Sequence, residues 1–377
     1  MRRSGLTLNF SWSWTVRTRS IIYAYAIFLA GCGSVVIEDP GASSDSTASA
    51  SAGAGGASAG TASATGGTGG TSGNADCSAP QVTILAAEQW QPAAIALDDA
   101  NVHWVNGGAL GDPLDLAHIF MVPKSGGAPA EIAATKGDPV LIAVDDTRVY
   151  WTVFDFSAPM SKSILYSTPK AGGPVMKVLA SETEVLSLAM DEDRLYWSNG
   201  LGEVRSMSKA GGDSTLLAKG ADKYHPGRIA LDQERVYWTT VGDQALASAP
   251  KHGGPSTVLE KVVPGLRGFA VDETRLFWRT ETYGGVYAAP KSGEPRVEVV
   301  HDDLGVMRLD QSGPCLYWVT PITFDTMGEQ LHAAPKSGGE PIVIHAAVIG
   351  GEFNIAADDA VVYWGDRMNG TISKATK

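Results

Sequence analysis

The sequence predicts an all-β fold, a ring of seven four-stranded antiparallel blades that forms a β-propeller. Three observations predict it. A pair formed by an aromatic residue and tryptophan recurs seven times between residues 103 and 364, at intervals of 40 to 47 residues. Most of these pairs have an aspartate six positions before the tryptophan. Each interval also holds four short apolar runs separated by turn residues, and four strands in about 40–45 residues are typical of one propeller blade.

Residues that recur at one position in every unit define the repeat. The tryptophans are Trp104, Trp151, Trp197, Trp238, Trp278, Trp318 and Trp364. The aspartates are Asp98, Asp145, Asp191, Asp232, Asp272 and Asp358, and the sixth unit has Asp310 eight positions before its tryptophan, which predicts an insertion around Gly313 and Pro314. The turn lysines are Lys124, Lys170, Lys209, Lys251, Lys291, Lys336 and Lys374. We expect these residues to stabilise the blades, with Arg148, Arg194, Arg235 and Arg275 pairing locally with the turn aspartates.

The second unit shows how one blade is built. Its first hairpin turn begins at Asp145, and its second contains Gly172 and Gly173, which can adopt the positive φ that tight turns need. The inner, second, third and outer strands are predicted at residues 142–144, 149–151, 164–166 and 176–179.

The strand end Ala-Val-Asp at residues 143–145 and the Tyr-Trp pair at residues 150–151 resemble the YWTD repeat of the low-density lipoprotein receptor family. The resemblance covers residues 81–377 and implies a propeller. The chain departs from that family in two ways. Propellers of the family have six blades, and only the Gly-Asp at residues 365–366 keeps the final aspartate of the motif.

The two ends of the repeat region are expected to share one blade. The seventh unit ends at Lys377, just after its third strand. Residues 81–86 have the character of the outer strand near residues 175–180. We therefore expect this N-terminal strand to complete the last blade, which closes the ring and pairs an edge that would otherwise be exposed.

The same topology pairs two cysteines. Cys77 lies just before the N-terminal strand, and Cys315 lies at the hairpin exit of the sixth blade, beside the seventh. Both positions are on the face that carries the hairpin turns, so we expect a disulfide that reinforces closure in an oxidising compartment. Two free thiols are the alternative.

The first 32 residues have the pattern of an export signal. Four arginines precede an apolar run at residues 21–30, which is too short to span a bilayer. The run ends in Leu-Ala-Gly-Cys at residues 29–32, which resembles the lipobox of bacterial lipoproteins. That resemblance implies removal of the signal peptide 1–31, lipidation of Cys32 and localisation at the outer membrane. The alternative is an ordinary cleaved signal with a chance cysteine.

Residues 32–80 are expected to join that lipid anchor to the propeller. Residues 41–74 contain only Gly, Ala, Ser and Thr apart from Asp45 and Asn74. Such a composition offers little apolar surface to offset the entropy of ordering, so the segment is predicted to be a flexible tether. Its root-mean-square reach would be roughly 35 Å.

Composition excludes several classes of protein. The formal net charge is −12, which argues against nucleic-acid binding because phosphates require clustered Lys and Arg. Three cysteines are too few for a disulfide scaffold or a Cys-rich zinc module. The seven histidines show no metal-ligand spacing, and no hydrolase, phosphate-binding or dinucleotide motif occurs. We expect no cofactor and no metal.

Candidate binding residues are placed where the blades differ. The spacing from Trp to Lys is 18 to 20 residues in units 1, 2 and 6 but 10 to 13 in the others, which predicts long loops around one sector of the face opposite the hairpin turns. Their aromatic and acidic residues suit a cationic or sugar-like ligand or a basic protein patch, although the loops could also simply pack on one another. The candidates are Trp90, Asp112, Asp115, Phe154, Asp155, Phe156, Phe324 and Asp325.

Arg308 is a further candidate. The position two residues before the turn aspartate is alanine in six units and Arg308 in the sixth, when Asp310 is taken as the turn aspartate. A buried arginine there would need a carboxylate or a ligand anion as partner, and a structural carboxylate is one reading.

The sequence thus predicts an envelope-anchored lipoprotein whose propeller is a non-catalytic module that binds a protein or a small ligand. The alternative is an exported propeller lyase or hydrolase with its site at the mouth of the central channel. The enzyme is the less favoured alternative because no hydrolase, phosphate-binding or dinucleotide motif occurs. It stays an alternative because propeller enzymes assemble their sites from residues that are far apart in the sequence.

Overall fold

A computed structural model provides the structure of the protein. It describes Cys77 and residues 81–376, except for the segments 108–115, 156–161, 220–225, 241–244, 262–265, 281–284, 293–294, 302–307, 321–328 and 347–354 and the single positions 182 and 360. Within this part of the chain all regular elements are strands, and no helix is present that could cross a membrane.

The strands form seven antiparallel sheets of four strands. In six sheets the four strands are consecutive in the chain, whereas the seventh sheet combines the first strand with the last three. The first strand of the described chain is β1 (Gln81–Ala86). Blade 1 follows with β2 (Pro92–Leu97), β3 (Asn101–Asn106), β4 (Leu116–Pro123) and β5 (Ala130–Lys136). Blade 2 has β6 (Asp138–Val144), β7 (Arg148–Asp155), β8 (Lys162–Pro169) and β9 (Met176–Ala180). Blade 3 has β10 (Val185–Met190), β11 (Arg194–Asn199), β12 (Glu203–Ser208) and β13 (Thr215–Lys219).

The second half of the ring repeats this order. Blade 4 has β14 (Pro226–Leu231), β15 (Arg235–Thr240), β16 (Ala245–Pro250) and β17 (Thr257–Lys261). Blade 5 has β18 (Leu266–Val271), β19 (Arg275–Thr280), β20 (Val286–Pro290) and β21 (Val297–Val300). Blade 6 has β22 (Arg308–Ser312), β23 (Cys315–Thr320), β24 (Gln330–Pro335) and β25 (Ile342–Ala346). Blade 7 begins with β26 (Ile355–Ala357), β27 (Val361–Asp366) and β28 (Thr371–Thr376).

Strand β1 completes blade 7 and closes the ring. Blade 7 has the strand order β1-β28-β27-β26, and Gln81 lies opposite Thr376 in the antiparallel ladder. The inner strands β2 and β26 contact each other, as the inner strands of the other neighbouring blades do. The predicted seven-bladed propeller with an N-terminal closing strand is therefore confirmed.

The core of the molecule lies between blades. Each tryptophan of the repeat is buried against the preceding blade. In six interfaces it shares a cluster with the aromatic residue of that blade, as Trp197 does with Tyr150. In the remaining interface Trp151 packs on Ala117 and Ile119 of blade 1. Blade 1 has His103 at the position where the other blades have tyrosine or phenylalanine. Large apolar surfaces removed from water in this way stabilise the ring.

The register of blade 6 corrects one expectation. Asp310 lies opposite Tyr317, the pairing that Ala143 makes with Tyr150 in blade 2. Ser312, opposite Cys315, therefore stands at the position of the turn aspartate, six residues before Trp318. The turn contains no insertion at Gly313 and Pro314, because these two residues occupy the centre of a hairpin of ordinary length.

The same register removes the argument for Arg308. This residue lies opposite Val319, as Leu141 lies opposite Thr152, so it does not occupy the alanine position. Asp310 occupies that position instead. Only the backbone of Arg308 and Asp310 belongs to the described part of the structure.

Cys77 and Cys315 form a disulfide across a sequence separation of 238 residues. Both cysteines lie in the apolar cluster between blades 6 and 7, together with Tyr317 and Trp364. The bond therefore joins the chain just before β1, which belongs to blade 7, to the first hairpin of blade 6.

Candidate functional site

Three of the predicted binding residues lie in the described part of the structure. Trp90 is in the connection from β1 to β2, and Phe154 and Asp155 end β7 in blade 2. The other loop candidates, Asp112, Asp115, Phe156, Phe324 and Asp325, lie outside the described residues, as does Cys32. The site can therefore be built only around Trp90 and the end of β7.

The connection from β1 to β2, residues 87–91, crosses from blade 7 to blade 1, and we call it the strap. The backbone amide of Gln89 donates to the carbonyl of Gly370 over 2.8 Å. At the other end of the strap, Gly107 donates its amide to the carbonyl of Gln91 over 3.1 Å. The strap is thus fixed to the β27–β28 turn on one side and to the end of β3 on the other.

A side-chain network anchors the middle of the strap. The Oε1 atom of Gln89 accepts hydrogen bonds from Trp104 Nε1 and from Asn106 Nδ2, both over 3.1 Å. Trp104 and Asn106 are buried in blade 1. Because both donors come from buried side chains, the position of Gln89 is determined by the core of the blade.

The backbone of the strap is unusual on both sides of Trp90. Glu88 has φ 59° and Gln91 has φ 43°, which are left-handed values for residues other than glycine. Such conformations cost free energy and persist when surrounding contacts impose them, often at functional sites. The contacts of Gln89 and Gln91 are those that impose them here.

Trp90 lies in the strap with its side chain partly exposed to solvent. Its exposed fraction is 47%, whereas the tryptophans of the repeat are buried. Arg367, in the neighbouring turn of blade 7, donates from Nη2 to Oε1 of Gln91 over 3.1 Å. Met368, the next residue, is 75% exposed. We call Trp90, Arg367 and Met368 the strap site.

The turn that carries Arg367 and Met368 is also held rigidly. Buried Asp366 accepts hydrogen bonds from the amides of Met368 and Asn369 and from Asn369 Nδ2. Gly370 has φ 61°, and a Cβ at that position would collide with the carbonyl of Gln89. Only glycine allows the turn and the strap to approach so closely.

Arg367 and Met368 were not among the predicted binding residues. The candidates were chosen from long loops, whereas β27 and β28 are joined by the short turn of residues 367–370. The available signal was the Asn-Gly pair at residues 369–370, which is typical of a tight hairpin turn that projects the preceding side chains.

Phe154 and Asp155 belong to a separate part of the same sector, in blade 2. Both are half-buried, and they lie opposite Ser163 and Lys162 in the ladder with β8. Burial and the negative charge of Asp155 raise the pKa of Tyr166, which stacks on Trp151. Asp155 therefore interacts electrostatically with its own blade.

The recurring charges lie on the opposite face, where they join neighbouring blades. In blades 1 to 6, the lysine that follows the third strand donates to the turn aspartate of the preceding blade. These pairs are Lys124–Asp358, Lys170–Asp98, Lys209–Asp145, Lys251–Asp191, Lys291–Asp232 and Lys336–Asp272, at 2.7 to 3.4 Å. Four of these ammonium groups also lie over an aromatic ring of the preceding blade, the one next to that blade's tryptophan in sequence. Lys374 does not belong to this set, because it lies within β28, opposite Tyr363, and not in a turn.

The expected local pairing of the arginines is largely wrong. Arg148, Arg194 and Arg235 donate to serine hydroxyls of the third strand of their own blade. Arg275 alone lies near its turn aspartate, Asp272, at 3.7 Å. The turn aspartates are already occupied by backbone amides, by tyrosine hydroxyls and by the lysines, which leaves little room for an arginine.

These contacts explain the titration behaviour of the turn. Burial would raise the pKa of Asp145, but hydrogen bonds from Lys209, Thr147 and Arg148 outweigh it and hold the pKa at about 2. Burial and the adjacent carboxylate raise the pKa of Tyr150 to about 12. Such shifts belong to a structural network, and they do not identify an acid–base site.

Among the described residues, no group of three or more His, Cys, Asp or Glu side chains is arranged to hold a metal ion.

Comparison with known proteins identifies the fold. No family model matches the chain, and no curated protein matches it. Among solved structures, the designed protein Ika8 is 11% identical over 78% of this chain and 99% of its own, with a TM-score of 0.54. BamB from Moraxella catarrhalis is 13% identical over 77% and 86%, with a TM-score of 0.50.

A chain of a nidogen/laminin complex is 18% identical over 54% of this chain and 82% of its own, with a TM-score of 0.44. At these identities, the likeness to Ika8 and to BamB shows a shared propeller fold.

Proposed function

We propose that the protein is a lipoprotein of the bacterial outer membrane, anchored through Cys32, and that its propeller is a non-catalytic module that binds a partner protein through the strap site. The observation that carries this proposal is the exposed Trp90 on a strap that buried side chains hold in place.

The anchor is supported by the N-terminal sequence. The basic segment, the short apolar run and the Leu-Ala-Gly-Cys at residues 29–32 together fit a lipoprotein signal. Removal of residues 1–31 leaves 25 basic and 41 acidic residues. The negative charge of such a protein would not favour binding to a membrane surface. Several acyl chains on one cysteine would hold it there.

The binding role is supported by the composition and rigidity of the strap site. Trp, Met and Arg are enriched at protein interfaces, and Trp and Arg are the commonest residues with large binding energies. Because the backbone on both sides of Trp90 is already fixed, the strap loses little conformational entropy when a partner covers this residue. The acidic balance of the chain favours a partner with a basic surface.

The test compares two variants of the full-length protein. Trp90→Ala should abolish capture of the partner after chemical cross-linking in the membrane, whereas Val258→Ala should retain it. Val258 is a matched control because it is 55% exposed on the outer strand β17 of blade 4. Quantitative mass spectrometry of the cross-linked products provides the readout, with circular dichroism to verify folding. Equal capture by the two variants contradicts a strap-mediated interaction.

A further inference from the structure

The interface between blades 6 and 7 differs from the other six interfaces. At each of those, a lysine reaches the turn aspartate of the preceding blade. Here Ser312, which carries no charge, stands at the aspartate position. Cys315 occupies the position three residues later, where four other blades have arginine. The interface between blades 6 and 7 therefore has a disulfide beside the turn position at which the other interfaces have an aspartate paired with a lysine.

The strand that depends on this bond is weakly held in its first half. Residues Gln81 to Ile84 are exposed, and only Leu85 and Ala86 of β1 are buried. Val82 and Ile84 expose apolar side chains, and the ladder with β28 is irregular between Ile84 and Ala86. The exposed half is paired with a single neighbour, β28. Short exposed ladders of this kind open at low free energy.

We propose that the disulfide between Cys77 and Cys315 is a redox-controlled clasp, which keeps the exposed half of β1 on the ring and releases it when a dithiol reductant opens the bond. The clasp fixes the chain four residues before Gln81 to blade 6. The exposed half of β1 is thereby held at both ends, by the disulfide on one side and by buried Leu85 on the other.

The chemistry of release is a two-electron exchange. A thiolate of the dithiol attacks Sγ of Cys77, the less buried of the two cysteines, and the sulfur–sulfur bond breaks with Cys315 leaving as a thiolate. The second thiol of the reductant then attacks the mixed disulfide and expels Cys77. The reductant becomes a cyclic disulfide, and its two protons are transferred through solvent to the two cysteine thiolates.

The structure also sets where opening stops. Leu85 and Ala86 share an apolar cluster with Trp104, Tyr363 and Ile372, which does not include the disulfide. Reduction therefore frees residues 81–84 and uncovers the outer edge of β28 at residues 373–376. The strap, which lies beyond Leu85 and has its own anchors, stays in place.

Hydrogen exchange of the full-length protein tests the clasp. Backbone amides in residues 81–84 and 373–376 should exchange at least about tenfold faster after treatment with dithiothreitol. Strand β9, an outer strand of blade 2 that contacts no cysteine, serves as the internal control and should not change. A double variant, Cys77→Ser with Cys315→Ser, should show the same fast segment without reductant.

Two results would overturn the proposal. Unchanged exchange at residues 81–84 in the reduced protein would mean that the ladder alone holds the strand. Loss of protection throughout all seven blades would mean that the bond supports the whole fold and is not a local clasp. Because the readout involves no partner, failure here leaves the binding role of the strap site to its own test.

Discussion

At the scale of single residues, the turn aspartate of a blade serves its own hairpin and the next blade at the same time. In blade 2, Oδ1 of Asp145 accepts the amides of Thr147 and Arg148. Its Oδ2 accepts the hydroxyl of Tyr150 and the ammonium of Lys209 from blade 3. One carboxylate therefore couples the conformation of a turn to the docking of a neighbour. These contacts explain why the residue recurs in most blades.

This coupling predicts the behaviour of Asp145→Asn. The variant loses the charge that Lys209 faces, so the free energy of unfolding at pH 7 should fall by about 1–3 kcal/mol. The pKa of Asp145 in the folded protein, about 2, lies below its value of 3.8 without the fold. The stabilisation is therefore present above pH 4 and is lost as the pH falls towards 2, where wild type and variant should converge. Chemical denaturation at several pH values measures this difference.

Asp146→Asn is the control for that experiment, because Asp146 is the exposed neighbour in the same turn. Its effect should stay within about 0.5 kcal/mol. An equal loss in both variants would mean that general surface charge, and not the inter-blade pair, determines the stability.

His103 provides a second prediction at this scale. The residue stands where five blades have tyrosine, its Nε2 lies 3.0 Å from Asp98 Oδ2, and its buried Nδ1 has no hydrogen-bond partner among the described residues. Burial lowers the pKa of His103, more than the carboxylate raises it. The neutral form is thus favoured in the fold, so its stabilisation is present above pH 6.5 and is lost as the pH falls below that value.

His103→Tyr should reduce this acid sensitivity, because a phenol hydroxyl can donate to Asp98 as Tyr150 does to Asp145. We expect the decrease in Tm between pH 7.5 and pH 5 to be smaller in this variant than in wild type. His252→Tyr, at an exposed histidine, should leave the decrease unchanged. The same decrease in all three proteins would contradict the assignment.

At the scale of the elements, β1 combines an exposed half and a buried half, and the buried half holds it in blade 7. Leu85 is 8% exposed and packs with Trp104 and Ile372, whereas Ile84 is 58% exposed. Leu85→Ala should lower the free energy of unfolding by about 2–5 kcal/mol through lost burial and a residual cavity. Ile84→Ala should change it by about 0.5 kcal/mol or less. Denaturation curves that shift equally would show that burial does not hold this strand.

The elements also show what a sequence of this kind can predict. The number of blades and the closing strand follow from it because every unit repeats the same pattern of residues, and seven repetitions outweigh any local ambiguity. The register of blade 6 does not follow. Side chains two positions apart lie on the same face of a strand, so an aspartate displaced by two leaves the alternation intact. Asp310 therefore resembles a turn aspartate although Ser312 holds that position.

Contacts between blades are equally hidden from the sequence. Lys209 is 64 residues from Asp145, and nothing local indicates that it is preferred over Arg148, only three residues away. The candidate site was predicted in part. Trp90 was among the predicted binding residues, but Arg367 and Met368 were not, because their turn lies beside the strap only through the pairing of both ends of the propeller chain in blade 7.

At the scale of the whole molecule, the proposed lipid anchor is the feature with the largest expected effect on where the protein is found. If Cys32 is lipidated as proposed, Cys32→Ser should move the protein from the membrane fraction to the soluble fraction of a bacterial host, because acyl chains on that cysteine would supply the membrane affinity. Ser34→Ala should remain with the membrane as a control. Fractionation followed by mass spectrometry of the N-terminal peptide would measure both. Membrane retention of the Cys32 variant would contradict lipidation.

The pairing of Gln81 with Thr376 has a consequence for the architecture as a whole. Because the ends of the propeller lie side by side in one ladder, a short turn such as the Lys-Ala-Gly-Gly of blade 2 could join them without distorting a strand. The chain could then be opened at another outer hairpin, giving a circular permutant whose composite blade lies elsewhere. The gene could in this way start at any of several blades, and all of these versions would encode the same ring.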